Sequence, residues 1–133
     1  MTEVVNTSGK RKEAVARAVV SKGNGKVRIN KVPIEIFSPE IARLKIMEPM
    51  TLAGDKAATV DVDVNVQGGG FMGQAEATRT AIAKGLVEFL KDEELETMFK
   101  QYDRSLLISD PRRRLPKKPL GRGARKKRQK SYR

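Results

Sequence analysis

At 133 residues the chain has the length for one core and an appendage, and a second independent core is not expected. It contains neither Cys nor His, which excludes disulfides, thiolate or imidazole metal sites and the usual imidazole acid and base, so any catalysis would rest on carboxylates, Lys, Arg and hydroxyls. All sixteen Asp and Glu lie at or before Asp110, with sixteen of the twenty-eight Lys and Arg, so residues 1–110 are neutral and the whole net charge of +12 sits beyond them.

The first predicted element is a strand in "KRKEAVARAVV", where Ala14, Ala16, Ala18 and Val20 alternate with Val15, Arg17 and Val19. "SKGNG" turns the chain, and "KVRIN", with Val27 and Ile29 on one face, predicts a second strand closing an antiparallel hairpin with the first. Pro33 suits a sheet edge or an irregular link. Ser38 before Pro39 reads as a helix start that presents Ile41, Leu44 and Met47 to a core, with Pro49 ending or kinking the helix. "ATVDVDVNVQ" is the clearest strand, Val60, Val62, Val64 and Val66 facing inward and Asp61, Asp63 and Asn65 outward. A helix follows over "QAEATRTAIAKGLVEFL", its apolar stripe Ala75, Thr78, Ile82, Leu86 and Phe89, with Glu76, Arg79, Thr80 and Lys84 facing elsewhere. "DEELETMFKQYD" predicts another, with acids at its start and Leu95, Met98, Phe99 and Tyr102 at helical intervals. "LLISD" is a short strand or a core-covering link. Elements of both kinds, not strictly alternating, make the expected class α+β.

Between the Val strand and its helix, "GGGFMGQ" satisfies G-x-G-x-x-G through Gly68, Gly70 and Gly73. A dinucleotide site is disfavoured, because a first doubly wound strand is apolar on both faces whereas this one alternates Val with Asp. Two readings remain open: a structural turn, and a contact in which amides at the helix N-terminus meet an RNA phosphate. The second makes Gly69, Gly70 and Gln74, with Arg79 further along the helix, candidate contacts. Asp61 and Asp63 read as a solvated or cross-strand-paired face rather than as a cation site. Lys10, Arg11 and Lys12, and Arg17 projecting from the strand, are candidate phosphate contacts.

From Arg112 to Arg133, twelve of twenty-two residues are Lys or Arg and none is acidic. A neutral body (1–110) joined to such a tail (111–133) is the charge asymmetry of a protein that grips a polyanion, nucleic acid first and an anionic membrane second. The tail offers only Leu115, Leu120 and Tyr132 to a membrane, no apolar run approaches the roughly 18 residues of a span, and "MTEVVNTSGK" has no apolar signal core, so the chain reads as cytoplasmic. With Tyr132 its lone aromatic, the tail is built for backbone neutralisation rather than for stacking on several bases.

Three stretches, "GKRKEAVARAVV", "GGGFMGQAEATRTAIAKGL" and "DPRRRLPKKPLGRGARKKRQKSYR", together resemble the small-subunit ribosomal protein nine family, in the same order and over nearly the whole chain. The terminal Ser-Tyr-Arg is similar to the archaeal and eukaryotic branch. The resemblance implies a non-enzymatic protein without a cofactor, with a small mixed sheet packed on helices in the manner of the ribosomal S-five second domain. It implies a seat in the head of the small subunit among neighbouring ribosomal proteins, and a tail that threads ribosomal RNA toward the peptidyl-site tRNA. In the tail, Arg112, Arg113, Arg114, Lys117 and Lys118 are then expected on ribosomal RNA, followed by Arg122, Arg125, Lys126, Lys127 and Arg128. Lys130, Tyr132 and Arg133 are expected at the tRNA.

Overall fold

The computed structural model describes residues 4–37 and 39–108 together with Arg112, Pro116 and Pro119. Its architecture is α+β, as the sequence predicts. Strands β1 (Val4–Arg11), β2 (Ala14–Lys22), β3 (Val27–Ile29), β4 (Val32–Pro33) and β5 (Val60–Gln67) form one mixed sheet in the order β1-β2-β5-β3-β4. Helices α1 (Glu40–Ala53), α2 (Phe71–Leu90) and α3 (Glu93–Tyr102) complete the fold, the first two linked through the 3₁₀ turn Gly54–Thr59 and β5. No helix among the described residues is long and apolar enough to cross a membrane.

β5 lies at the centre because its four valines form an unbroken buried stripe. It runs antiparallel to β2, with Ala16 opposite Val66, Ala18 opposite Val64 and Val20 opposite Val62, and parallel to β3, with Val27 opposite Val62 and Ile29 opposite Val64. This register keeps the alanines and Val20 of β2, and the Val and Ile residues of β3 and β5, on the inward face, as period-two alternation requires, and leaves Val15 and Val19 on the outer face.

The hairpin expected between β2 and β3 does not form: β5 is inserted between them, and β2 pairs instead with β1. Burial explains the exchange, since the Val stripe of β5 is covered on both flanks only when it divides the two short segments. β1 has no apolar alternation to announce it, because its inward positions include Thr7 and Gly9 beside Val5. Thr7 Oγ1 donates to the Ala81 carbonyl of α2 at 2.8 Å, and Gly9 lies directly on the Ala77–Ala81 turn of that helix.

Of the helices, α2 is the hub. It packs on β1 and β2 on one side and on α1 on another, so Arg79 and Thr80, expected to face outward, are buried with Thr78, Ile82 and Leu86. Small residues make this possible: Ala75, Ala77, Ala81, Ala83 and Gly85 let neighbouring backbones approach.

In α1 the buried residues are Ala42, Ile46, Pro49, Met50 and Ala53, not the expected stripe: Ile41 and Leu44 are 62% and 60% exposed, and only Met47 packs partly on the core. The helix turns its narrow Ala42 side inward, which shortens the distance to α2 at the cost of leaving two larger side chains in water. Pro49 does not end it either. Although Pro49 has no N–H for the Lys45 carbonyl, the helix runs on to Ala53. Pro39 occupies the N-cap position, and Ser38 lies outside the described residues.

Helix α3 begins at Asp92, whose Oδ1 accepts from the amides of Glu94 at 3.0 Å and Leu95 at 3.3 Å. The Lys56 ammonium also pairs with Asp92 and holds its carboxyl below the ordinary value. Leu95 and Phe99 enter the core, whereas Met98 and Tyr102 stay exposed. Leu106, in the 3₁₀ turn Arg104–Leu106, then covers the core as a link rather than as a strand.

Candidate nucleic-acid interface

The end of β1, the middle of α1 and the first turns of α2 converge on a polar pocket of about 310 Å³, lined by Lys10, Arg11, Lys45, Glu76, Arg79, Thr80, Asp103 and Arg112. Its acids are committed to holding arginines. Arg11 Nε donates to Glu76 Oε2 at 2.7 Å, while Arg79 spans Glu48 Oε2 at 2.6 Å and Asp103 Oδ2 at 3.3 Å. Lys10 and Lys45 have no acidic partner among the described residues, so the pocket presents surplus positive charge at the point where the basic tail starts.

Four residues proposed from the sequence, Lys10, Arg11, Arg79 and Arg112, therefore meet in one place. Sequence reasoning missed Lys45, because nothing in the spacing of α1 tells which residues the contact with α2 will aim at β1. It also misplaced Arg79. Only 5% of that side chain is exposed, and its guanidinium ties α1 to the end of α3 by charge-assisted bonds. The two residues should separate on mutation. Arg79→Ala is expected to destabilise the free protein, by less than the about 3–5 kcal/mol of a fully buried pair because Glu48 and Asp103 keep some water. Lys45→Ala should leave stability unchanged and lower RNA affinity. Urea unfolding and RNA binding of both variants measure this; equal stability loss in the two would remove the distinction.

The glycine loop joins β5 to α2. Gly68 and Gly69 have φ of +82° and +66°, the left-handed region that favours glycine. A side chain on Gly68 would also collide with the Glu13 carbonyl, and Gln74 Nε2 donates to the Gly68 carbonyl at 3.0 Å. The Gln74 bond closes the loop on itself and Gly68 packs against the β1–β2 turn that carries Lys12, the geometry a structural turn asks of Gly68 and Gly69. Gly70 differs: its φ is −93°, it caps α2, and a Cβ there would meet nothing within 4 Å. The open side of the loop is thus at the helix N-terminus, where first-turn amides lack intrahelical acceptors. Among the described residues no strand follows α2, so these elements do not place the loop in a doubly wound nucleotide fold.

On the outer face of the sheet, Asp61 accepts from the amides of Asn24 at 2.9 Å and Lys26 at 3.0 Å, which fixes the turn before β3. Those bonds hold its carboxyl below the usual carboxylate value; the stabilisation is present at neutral pH and is lost as pH falls through that lowered value. Asp63 pairs with Arg28 at 3.3 Å. Toward the glycine loop the acids stop, and a recess of about 230 Å³ opens between Val15, Arg17, Asn30, Asn65, Val66 and Gln67. The candidates Arg113, Arg114, Lys117, Lys118, Arg122, Arg125, Lys126, Lys127, Arg128, Lys130, Tyr132 and Arg133 lie outside the described residues.

A neutral α+β body that gathers cations at the root of a polycationic tail has the charge layout expected of a small nucleic-acid-contacting protein. Comparison with known proteins narrows the class. The pattern of the family described as "Ribosomal protein S9/S16" matches residues 9–133. The chain is 60% identical over 131 residues to "Small ribosomal subunit protein uS9" of Thermoplasma volcanium, covering 98% of this chain and 99% of that protein. It is 54% identical over 133 residues to the protein of that name from Picrophilus torridus, with both chains fully covered. For Halobacterium salinarum the identity is 58% over 131 residues, with 98% and 99% covered. The chain belongs to the ribosomal protein S9/S16 family, one of structural constituents rather than enzymes.

Proposed function

We propose that the chain is a structural constituent of the small ribosomal subunit in the cytoplasm. Its body, residues 1–110, binds ribosomal RNA in the subunit head beside neighbouring ribosomal proteins, and its tail, residues 111–133, extends through RNA to the peptidyl-site tRNA. The observation that carries this reading is the pocket in which Lys10 and Lys45, without an acidic partner among the described residues, stand next to Arg112, the first cation of the tail. A phosphate backbone entering there meets positive charge continuously from the body into residues 112–133. The open N-terminus of α2 at Gly70 and the exposed Lys12 and Arg17 extend the same surface. Sedimentation of native cell extract tests it: the protein should travel in the small-subunit peak, and its absence from that peak would overturn the proposal.

The tail's reach supports the finer part. Twenty-two extended residues at about 3.3 Å each span on the order of 70 Å, enough to carry Arg133 from a body at the outside of an RNA particle to its interior. Arg suits the endpoint, since its planar fork donates two hydrogen bonds to one phosphate. Deleting Arg133 alone should leave assembly intact, because eleven of the twelve tail cations remain, and should speed dissociation of peptidyl-site tRNA. Identical dissociation rates from wild-type and truncated subunits would reduce Arg133 to one more counterion of ribosomal RNA.

A further inference from the structure

Along the wet face of β5 the side chains run Asp61, Asp63, Asn65, Gln67. The first two are carboxylates and each is occupied, by the turn amides and by Arg28. The last two are amides of similar shape without charge, and neither has a hydrogen-bond partner among the described residues. The change from acid to amide coincides with the recess beside the glycine loop. There Arg17 stands directly across from Asn65 and Val15 across from Gln67. Arg17 is exposed and likewise has no partner among the described residues. Cross-strand neighbours lie about 5 Å apart and same-face neighbours along a strand about 7 Å, so a single nucleotide can meet all three polar side chains at once.

The recess has a defined wall and floor. Its wall is Asn30, whose side chain completes the sheet where β3 has ended: Oδ1 accepts from the Val66 amide at 2.8 Å and Nδ2 donates to the Val66 carbonyl at 3.1 Å. Both ends of that amide are used, which makes it a fixed edge rather than a ligand group. Half-buried Val15 supplies an apolar floor. Lys10 is the register partner of Val15 on the next strand and also lines the cationic pocket, so the two depressions are joined along one row of the sheet.

We infer that this recess reads the edge of one unpaired RNA base, Asn65 and Gln67 supplying paired donors and acceptors and Arg17 engaging the adjoining phosphate. The inference rests on the ribosomal-RNA reading above and adds a base-specific contact to it. Side-chain amides present a donor and an acceptor side by side, the arrangement that pairs with a base edge. A carboxylate at either place would accept only and would repel the backbone. No aromatic ring lines the recess among the described residues, so the base is held by its edge and not by stacking.

The test uses the full chain and two probes: a transcript of the RNA of the subunit head, and an unrelated RNA duplex of equal length. In Asn65→Ala/Gln67→Ala, affinity for the head transcript should fall about tenfold or more, with affinity for the duplex and the slope of log affinity against log salt unchanged. Asn65→Asp, nearly isosteric, should lose the same preference while its thermal unfolding matches wild type. Arg17→Ala should instead reduce the salt slope by about one on the head transcript. A double variant that keeps the wild-type preference overturns base reading. Loss of a neighbouring protein from assembled subunits with RNA preference intact makes the occupant a protein segment and overturns it as well. Failure of the wild-type chain to prefer the head transcript at all would instead strike the ribosomal-RNA reading itself.

Discussion

Removal of residues 112–133 should lower RNA affinity by several orders of magnitude and flatten its dependence on salt. Each neutralised phosphate releases counterions, contributing about 0.7 to the slope of log affinity against log salt on single strands and about 0.9 on duplex DNA. Twelve tail cations with no acid among them set an upper bound of roughly 8 to 11 on the slope that truncation can remove. What remains is the body, neutral as a whole, with its local excess at Lys10 and Lys45 and on the outer sheet face. The truncated protein should keep its fold, since among the described residues the last fully buried core side chain is Leu106. Binding titrations over a range of salt, with circular dichroism to confirm folding, measure both parts. A slope unchanged by truncation would move the polyanion site into the body.

The second large effect is expected at Gly9. Its φ is outside the positive region, so its backbone is one that any residue adopts, and the demand is for space. A Cβ there would lie 2.8 Å from the Ala81 amide nitrogen and closer still to the Ala77 carbonyl oxygen, inside a hydrogen-bonded turn of α2. Neither neighbour is a flexible side chain that can swing away. Gly9→Ala must therefore push β1 off the helix, at or beyond the top of the about 1–3 kcal/mol usual for overpacking. Gly9→Val should leave little of a total stability on the order of 5–15 kcal/mol. Gly73→Ala is the contrast, because its Cβ, on the first turn of α2, would make ordinary contacts with the Arg11 carbonyl at 3.7 Å and the Ala14 side chain at 3.8 Å, and it gains helix propensity. Thermal unfolding should place Gly9→Ala at least about 10 °C below wild type and Gly73→Ala at or slightly above it. Equal midpoints for Gly9→Ala and wild type would mean that β1 and α2 do not touch this closely in solution.

The elements that could be recognised before folding are those whose burial repeats within a single segment. The Val stripe of β5, the long apolar run of α2 and the Asp92 start of α3 all carry their periodicity locally, and each is found where it was expected. β1 carries none, because its inward Thr7 and Gly9 serve a close approach to α2 instead of filling volume. The face of α1 was misjudged for a related reason: Ile41 and Leu44 look like core residues on hydrophobicity alone, but the approach to α2 selects the narrower Ala42 and Ile46 side.

The same division runs through the site. Composition alone located the surplus charge in the tail, and motif order alone pointed to the family, since both are properties of the chain read in one dimension. Which cations face outward is a property of packing. Tertiary structure withdrew Arg79 into ion pairs with Glu48 and Asp103, and brought Lys45 from α1 beside Lys10 from β1. It also chose the neighbours of β5, making β3 parallel to it and leaving the Asn65 and Gln67 amides at a recess walled by Asn30. Such juxtapositions join residues 24 or more positions apart, the nearest pair being Arg79 and Asp103, and they are decided by how strands and helices share one buried volume, which no local spacing records.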